Sequence, residues 1–300
     1  MSAVGLAGTG RMGSQMARRL AGAGHELVLQ NRTLAKAEAL AAELGCGVAR
    51  TPAELARRCE LVLVMVGDER AADDVYVGRD GLVSGLGRAS LVVEMSTLGP
   101  ENVLELGRAI SRTGARLIDA PVSGTPAAAG AGELLIMVGG DPEDASRATP
   151  VLESLAGSLV HLGPLGSGSV MKLVVNGLVF GLAEAIAEGL VLAERCGIDR
   201  EAAYDIFLAS AVTNPMMRHR RDLYVRPERA ATAFRLVLAE KDLRLIEELA
   251  RNVGAPMAQV ELNRRVISEA IAAGLGEQDL AALAVHLRAQ PELPGTGSRA

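Results

Sequence analysis

Aromatic residues make up only 2% of the 300-residue chain, with three Phe, three Tyr and no Trp, so its cores must be built mainly from Leu, Val and Ala. Cysteine is equally scarce. Cys46, Cys59 and Cys196 show no CxxC or metal-ligand spacing, and the expectation is three small buried residues in a reducing cytosol. Positive charge is in deficit. A net charge of −5 argues against a nucleic-acid groove and against a polybasic membrane surface. The four histidines, His25, His161, His219 and His286, have no partner at metal or triad spacing, so no metal and no Ser–His nucleophile is expected. Long apolar runs are missing too. The most apolar stretch, Leu173–Ala183, is short for a membrane span and is interrupted by Asn176, and the first residues enter a strand pattern without the layout of a signal peptide. These features together imply a soluble, cytoplasmic protein.

The first half of the chain alternates short β-branched runs with amphipathic stretches. Apolar runs at Ala3–Ala7, Leu27–Leu29, Leu61–Val66, Leu91–Val93, Arg116–Ile118, Leu134–Val138 and Leu159–Leu162 read as buried strands. Between them, Met12–Ala23, Ala35–Leu44, Ala53–Arg58, Glu101–Thr113 and Asp141–Leu155 read as helices, which is the pattern of βαβ units in a parallel sheet. The pattern changes at GPLGSGS, near residue 163. A proline-free helical run follows from Ser169 to Arg195, then helices over Arg200–Ser210, Ala233–Asn252, Pro256–Ala273 and Asp279–Leu287. The expected organisation is a first domain over 1–162, an all-α second domain over 163–288, and a Pro/Gly-rich tail over 289–300 that is expected to be disordered.

The stretch GLAGTGRMGSQMARRL places Gly8, Gly10 and Gly13 in G-x-G-x-x-G spacing between a strand and a helix. In that context the glycines allow a tight turn and bring backbone amides close to a pyrophosphate at a helix N-terminus. Thr9, Arg11 and Met12 fill the turn. At the end of the next strand, where an acidic residue would hold the ribose of NAD, the chain has Asn31, Arg32 and Thr33. An arginine there pairs with a 2′-phosphate, which points to NADP, with NAD possible; otherwise Arg32 is a solvated residue beside a Thr33 helix cap.

Further along, DAPVSGTPAAAGAGEL joins two strands. Asp119, Ser123 and Thr125 fit a turn; read functionally, Ser123 and the backbone amides around Gly124 make a small anion-binding concavity suited to a carboxylate, with Thr125 next to them. GSVMKLVVN puts Lys172 and Asn176 four apart on one helix face in otherwise apolar company. The later helix carries Lys241 and Asp242 at its centre, which on spacing alone is ordinary for a surface helix. The basic stretch RHRRDLYVRPER (218–229) reads as a solvated or intersubunit loop, the alternative being a segment that approaches a phosphate or a substrate acid.

These four motifs, in this order over roughly 1–288, resemble the β-hydroxyacid dehydrogenase family, which includes 3-hydroxyisobutyrate dehydrogenase, tartronate semialdehyde reductase and the glyoxylate/succinic semialdehyde reductases. The resemblance implies an α/β fold: an N-terminal Rossmann-type, doubly wound, mostly parallel sheet, followed by an all-α domain joined by a long interdomain helix. It implies Lys172 as the catalytic lysine, with Asn176 beside it, and Ser123, Gly124 and Thr125 at the substrate. Thr97, in MSTLGP, is placed by it near the nicotinamide, and Lys241 on cofactor or substrate. Thr125 stands where many members have glycine, and VGDE replaces the usual loop after the fourth strand. The implied activity is reversible transfer of a hydride between NADP(H) and a small aldehyde acid or hydroxy acid, in a homodimer or homotetramer. NAD-linked oxidation of 3-hydroxyisobutyrate is the alternative; an imine reductase or a non-catalytic member fits Lys172 less well.

Overall fold

A computed structural model describes residues 3–227 and 231–291. The chain falls into two compact units, Met1–Val174 and Val175–Ala300.

The first unit is built on nine strands among the described residues: β1 (Val4–Ala7), β2 (Leu27–Gln30), β3 (Gly47–Val48), β4 (Leu61–Val64), β5 (Leu91–Glu94), β6 (Arg116–Asp119), β7 (Val122–Ser123), β8 (Leu134–Gly139) and β9 (Ala156–Gly163). Their order is β3-β2-β1-β4-β5-β6-β8-β7, with β9 on the other side of β8. From β3 to β6 every pairing is parallel; β8 runs antiparallel to β6 and β7, and parallel to β9. The arrangement is the doubly wound, mostly parallel sheet expected. Successive strand residues point to opposite faces, and both faces are covered. Val4, Leu6, Leu27, Leu29, Leu63 and Val93 pack with one set of helices, while Val28, Val62, Val64, Val92 and Leu117 pack with the other.

The helices of this unit are α1 (Arg11–Gly22), α2 (Leu34–Leu44), α3 (Pro52–Arg58), α4 (Glu69–Tyr76), α5 (Pro100–Ser111), α6 (Pro126–Ala131) and α7 (Pro142–Leu152). Several start at a side-chain cap of the kind that satisfies a free helix amide: Thr51 on Glu54 N, Asp68 on Ala71 N, Thr125 on Ala128 N and Asp141 on Glu143 N. Four elements escaped the sequence reading. β3 and β7 are two residues long, α6 is six, and α4 (ERAADDVY) buries only Ala72 and Tyr76, so none carries a hydrophobic period long enough to detect.

Helix α8 (Ser167–Arg195) starts in the first unit and continues into the second. The first unit therefore reaches past residue 162, because the start of α8 is bound to the end of β6. By length and composition α8 could cross a membrane, a longer apolar element than Leu173–Ala183 suggested. It packs inside the protein through Leu173, Phe180, Ala183, Ile186, Ala187, Leu190 and Val191.

The second unit adds α9 (Arg200–Ala209), α10 (Pro215–Val225), α11 (Leu236–Val253), α12 (Ala258–Ala270) and α13 (Leu283–Arg288). The basic stretch is helical rather than a loop up to Val225, where α10 buries Met217, Leu223, Tyr224 and Val225. Three of its arginines are engaged inside the unit: Arg220 with Asp279, Arg221 with Glu201 and Asp205, and Arg226 with Glu201. Glu228 and Arg229 lie outside the described residues, as does the tail from 292 to 300. Helix α11 begins at Leu236 rather than Ala233, because Arg235 is extended, pairs with Asp279 in an antiparallel bridge, and the Phe234 carbonyl is taken by Leu280 N at 2.9 Å; Asp279 also accepts from the amides of Ala233 and Phe234 at 2.8 Å each. Of the cysteines expected to be buried, Cys59 is, Cys46 is half-buried and Cys196 is exposed just beyond α8.

Glu184 is the unusual core residue of this unit. It is 3% exposed, and among the described residues neither carboxylate oxygen meets a hydrogen-bond donor. Burial, reinforced by the negative charge of Glu188, pushes its carboxyl up to about 7. A raised carboxyl pKa means that the folded state binds the proton more tightly than the unfolded one. The associated stability is complete below the ordinary carboxylate range and is lost as pH rises through about 7. The gap corresponds to about 3 kcal/mol. Glu184→Met, which keeps volume and removes the charge, is expected to raise the thermal midpoint at pH 8, and that gain should shrink towards pH 5. Equal midpoints for the two proteins at pH 8 would refute this account.

Candidate active site

The glycine turn between β1 and α1 separates what the fold needs from what a ligand needs. Gly8 has φ +97, and a Cβ there would stand 2.1 Å from the Met65 carbonyl; at Gly13 it would stand 1.9 Å from the Gly8 carbonyl. Both positions are closed by the protein's own backbone. At Gly10 an added Cβ would meet nothing within 4 Å. The fold alone therefore does not demand glycine at position 10, whereas close approach of a pyrophosphate does. No side chain caps the start of α1, and its first turn has no acidic residue, so its amides and positive dipole end are uncompensated. Thr9 is buried with its hydroxyl unpartnered among the described residues. These features fit a dinucleotide.

Asn31 ties the end of β2 to this turn. Its Oδ1 accepts from Thr9 N at 3.1 Å, and its Nδ2 donates to the Thr33 carbonyl at 3.0 Å. Arg32, Thr33 and Arg11 are exposed beside it, and Met12 is half-buried. The loops after β4 and β5 are joined in the same manner. Val66 N donates to Ser96 Oγ at 2.9 Å, and Ser96 N donates to Glu94 Oε1 at 2.6 Å, which sets the half-buried Thr97 at the sheet edge. Glu94 is fully buried. Burial pushes its carboxyl up to about 7 against the hydrogen bonds from Ser96, and the neighbouring Asp119 adds to the rise.

Strand β7 prolongs the line of β6 beyond the sheet edge at which β1, β4 and β5 end, and so carries Ser123 and Gly124 past it. Ser123 is half-buried; Gly124 has φ +148, and a Cβ there would stand 2.8 Å from Leu134 Cδ2. Thr125 Oγ1 accepts from Ala128 N as the α6 cap, which leaves its O–H proton as the donor it has to offer. Helix α6 packs on α1, so this loop stands next to the helix that follows the glycine turn.

Lys172 is half-buried on α8, and Asn176 lies one turn further along the same face. Asn176 is buried and its Nδ2 donates to Asp242 Oδ2 at 2.7 Å; Lys241 pairs with Asp242 Oδ1 at 2.8 Å. Asp242 therefore fixes the orientation of the Asn176 amide. The sequence showed Lys241–Asp242 as an ordinary surface pair, yet Asp242 is 2% exposed. Only its burial sets it apart from such a pair.

One sequence expectation needs amendment. His25 does meet a serine, Ser154 Oγ at 2.9 Å, but it precedes β2 and so lies at the sheet edge opposite the glycine turn. Asp68, in VGDE, caps α4.

Residues 3–163 match the family model for the NAD-binding domain of 6-phosphogluconate dehydrogenase, and residues 166–287 match that for the NAD-binding domain of NADP-dependent 3-hydroxyisobutyrate dehydrogenase. Glyoxylate/succinic semialdehyde reductase 1 of Arabidopsis thaliana is 31% identical over 93% of this chain and 96% of its own length. The 3-sulfolactaldehyde reductase of Escherichia coli is 31% identical over 96% of each. A solved 3-hydroxyisobutyrate dehydrogenase of Mycobacterium tuberculosis, with L-serine, superposes with a TM-score of 0.83 at 28% identity, covering 96% of this chain and all of that one. An open phosphate turn, a lysine-bearing helix and these likenesses over nearly the whole length lead to one conclusion: the chain belongs to the 3-hydroxyisobutyrate dehydrogenase-like family of NAD(P)-dependent hydroxyacid oxidoreductases.

Proposed function

We propose that this enzyme reduces a small aldehyde acid with NADPH, in the manner of a semialdehyde or glyoxylate reductase, with Lys172 as general acid and base. The observation that carries the reading is the Asp242–Asn176 hydrogen bond on the helix that bears Lys172. It orients an amide oxygen on the lysine's own face, where it can accept from an ammonium. The bound nicotinamide supplies the hydride. Lys172 donates a proton to the substrate carbonyl oxygen during reduction and takes it back from the alcohol in reverse. Ser123, the amide of Gly124 and the hydroxyl of Thr125 receive the substrate carboxylate. Thr97 stands at the nicotinamide end of the turn region, and Lys241 contacts cofactor or substrate.

Gly8, Thr9, Gly10, Arg11, Met12 and Gly13 hold the pyrophosphate. The NADP preference rests on Arg32, exposed beside an Asn31 whose side chain is already committed to the turn, with no carboxylate at the end of β2 to compete for the ribose. Arg32→Ala is expected to raise the KM for NADPH roughly tenfold, about 1.4 kcal/mol, and to leave the KM for NADH nearly unchanged. Initial rates with both cofactors check it, and a wild-type preference for NADH would remove the role of Arg32.

The same rates against a panel of aldehyde acids, with 3-hydroxy acids assayed in reverse, test the substrate class. Preferred oxidation of a 3-hydroxy acid would favour the second reading, the activity named for the M. tuberculosis structure. We place the enzyme in the cytoplasm as a homodimer or homotetramer, supported by exposed Leu178 and Leu192 along α8.

A further inference from the structure

The sequence context of Asp119 suggests no more than a turn former, but its side chain is fully buried at the end of β6. Each carboxylate oxygen takes one backbone amide. Gly166 N donates to Oδ1 at 2.7 Å, and Ser169 N donates to Oδ2 at 2.6 Å. Gly166 immediately precedes α8, Ser169 lies in its first turn, and Lys172 follows three residues later. All of these residues belong to the first unit.

The first amides of any α-helix lack partners within the helix, and a nearby residue of the same segment commonly caps them. Here the acceptor comes from 47 and 50 residues upstream. Such a cap does more than satisfy donors. Two bonds from one carboxylate, to amides three residues apart, fix both the depth and the rotation of the helix start against the sheet. Rotation matters because each residue of a helix is turned by about 100° from the last, so a small twist at Ser169 is carried into the direction of Lys172.

The surroundings leave this contact no freedom. A Cβ at Gly139 would stand 2.4 Å from Asp119 Oδ1, and one at Gly168 would stand 2.2 Å from the Met137 carbonyl and 2.9 Å from Asp119 Oδ2. The glycines of VGG and GSGS are thus what lets the helix start seat directly on the carboxylate. Burial pushes the Asp119 carboxyl up, and the amides of Gly166 and Ser169 oppose that rise.

We propose that Asp119 is the positioning residue for Lys172: by binding the amides of Gly166 and Ser169 it sets where the lysine ammonium stands relative to the strand ends that receive the nicotinamide. The inference rests on Lys172 being the proton donor. An anchoring role without this function would affect stability and leave the chemistry of the folded enzyme untouched, and the two can be separated.

Asp119→Asn replaces one acceptor with an amide donor facing a backbone N–H, and Asp119→Ser leaves a single shorter acceptor. Either variant, assayed well below its thermal midpoint, is expected to lose 10- to 100-fold in kcat while its Kd for NADPH, read by cofactor fluorescence, stays within about twofold; a misplacement near 1 Å costs roughly that much. Asp144→Ala removes another buried carboxylate of the same unit, paired with Arg116 and Arg147, and should lower the midpoint without changing kcat. If Asp119→Asn does not fold, Asp119→Ser decides by the same readings. A folded variant with near-wild-type kcat and only a lower midpoint overturns the inference. Lys172→Ala is measured in parallel. Loss of turnover there, with kcat retained in the Asp119 variants, defeats this inference alone; retained turnover in Lys172→Ala defeats the lysine reading and this inference with it.

Discussion

Lys172→Ala is expected to lower kcat by roughly 10²- to 10⁴-fold, the range over which positioned acid–base groups act. The Kd for NADPH should remain near wild type, because the phosphate turn lies on α1 and the lysine on α8. Substrate KM should change less than kcat, since in the proposed function Ser123 and Gly124 hold the carboxylate and the ammonium acts on the reacting oxygen. Two features of helix α8 make this specific. Asn176 follows the lysine by one helical turn, and Asp119 holds the first turn of the helix. The measurement is single-turnover and steady-state reduction followed by NADPH absorbance. Near-normal kcat in the alanine variant would end the assignment.

The second large effect separates two glycines of one motif. Gly13→Ala puts a methyl 1.9 Å from the Gly8 carbonyl, so the turn must open; both the thermal midpoint and NADPH binding are expected to fall. Gly10→Ala meets no protein atom within 4 Å and should leave the midpoint within a degree or two of wild type. Yet the methyl occupies the space through which the backbone reaches a pyrophosphate, and NADPH affinity should drop at least roughly 100-fold, about 2.8 kcal/mol. Cofactor titration and thermal denaturation of the two variants side by side test the contrast. Unchanged affinity in Gly10→Ala would mean that the ligand does not approach the turn there.

The sheet was legible in the sequence because parallel strands buried on both faces appear as continuous apolar runs, as LVLV at 61–64 and LVVE at 91–94 do. Elements too short to show a period were not: α4 and α6 depend on the caps of Asp68 and Thr125 more than on a hydrophobic stripe. Basic residues disguised α10, whose arginines are balanced by carboxylates far away in sequence, such as Asp279 for Arg220. At the site, the glycine turn and the Lys172–Asn176 pair are local patterns and could be read directly. Asp119 and Asp242 could not be assigned the same way. A carboxylate that orients an amide or a helix start looks identical in sequence to one that faces water, and only a partner 47 to 66 residues away distinguishes it.

The scarcity of aromatic side chains has an optical consequence. With no tryptophan, the near-ultraviolet signal of the protein comes from phenols, and its three tyrosines are divided between the units. Tyr76 lies in the first unit beside the Glu94 carboxyl, whereas Tyr204 and Tyr224 sit in the second with ring centroids 5.7 Å apart. Burial holds all three phenols above their ordinary ionisation range, Tyr204 at about 12. Phenolate absorbance at moderately alkaline pH is therefore expected to report molecules whose cores have opened, and reduced-cofactor emission is free of energy transfer from indole. The chain reports on its own two cores without a label.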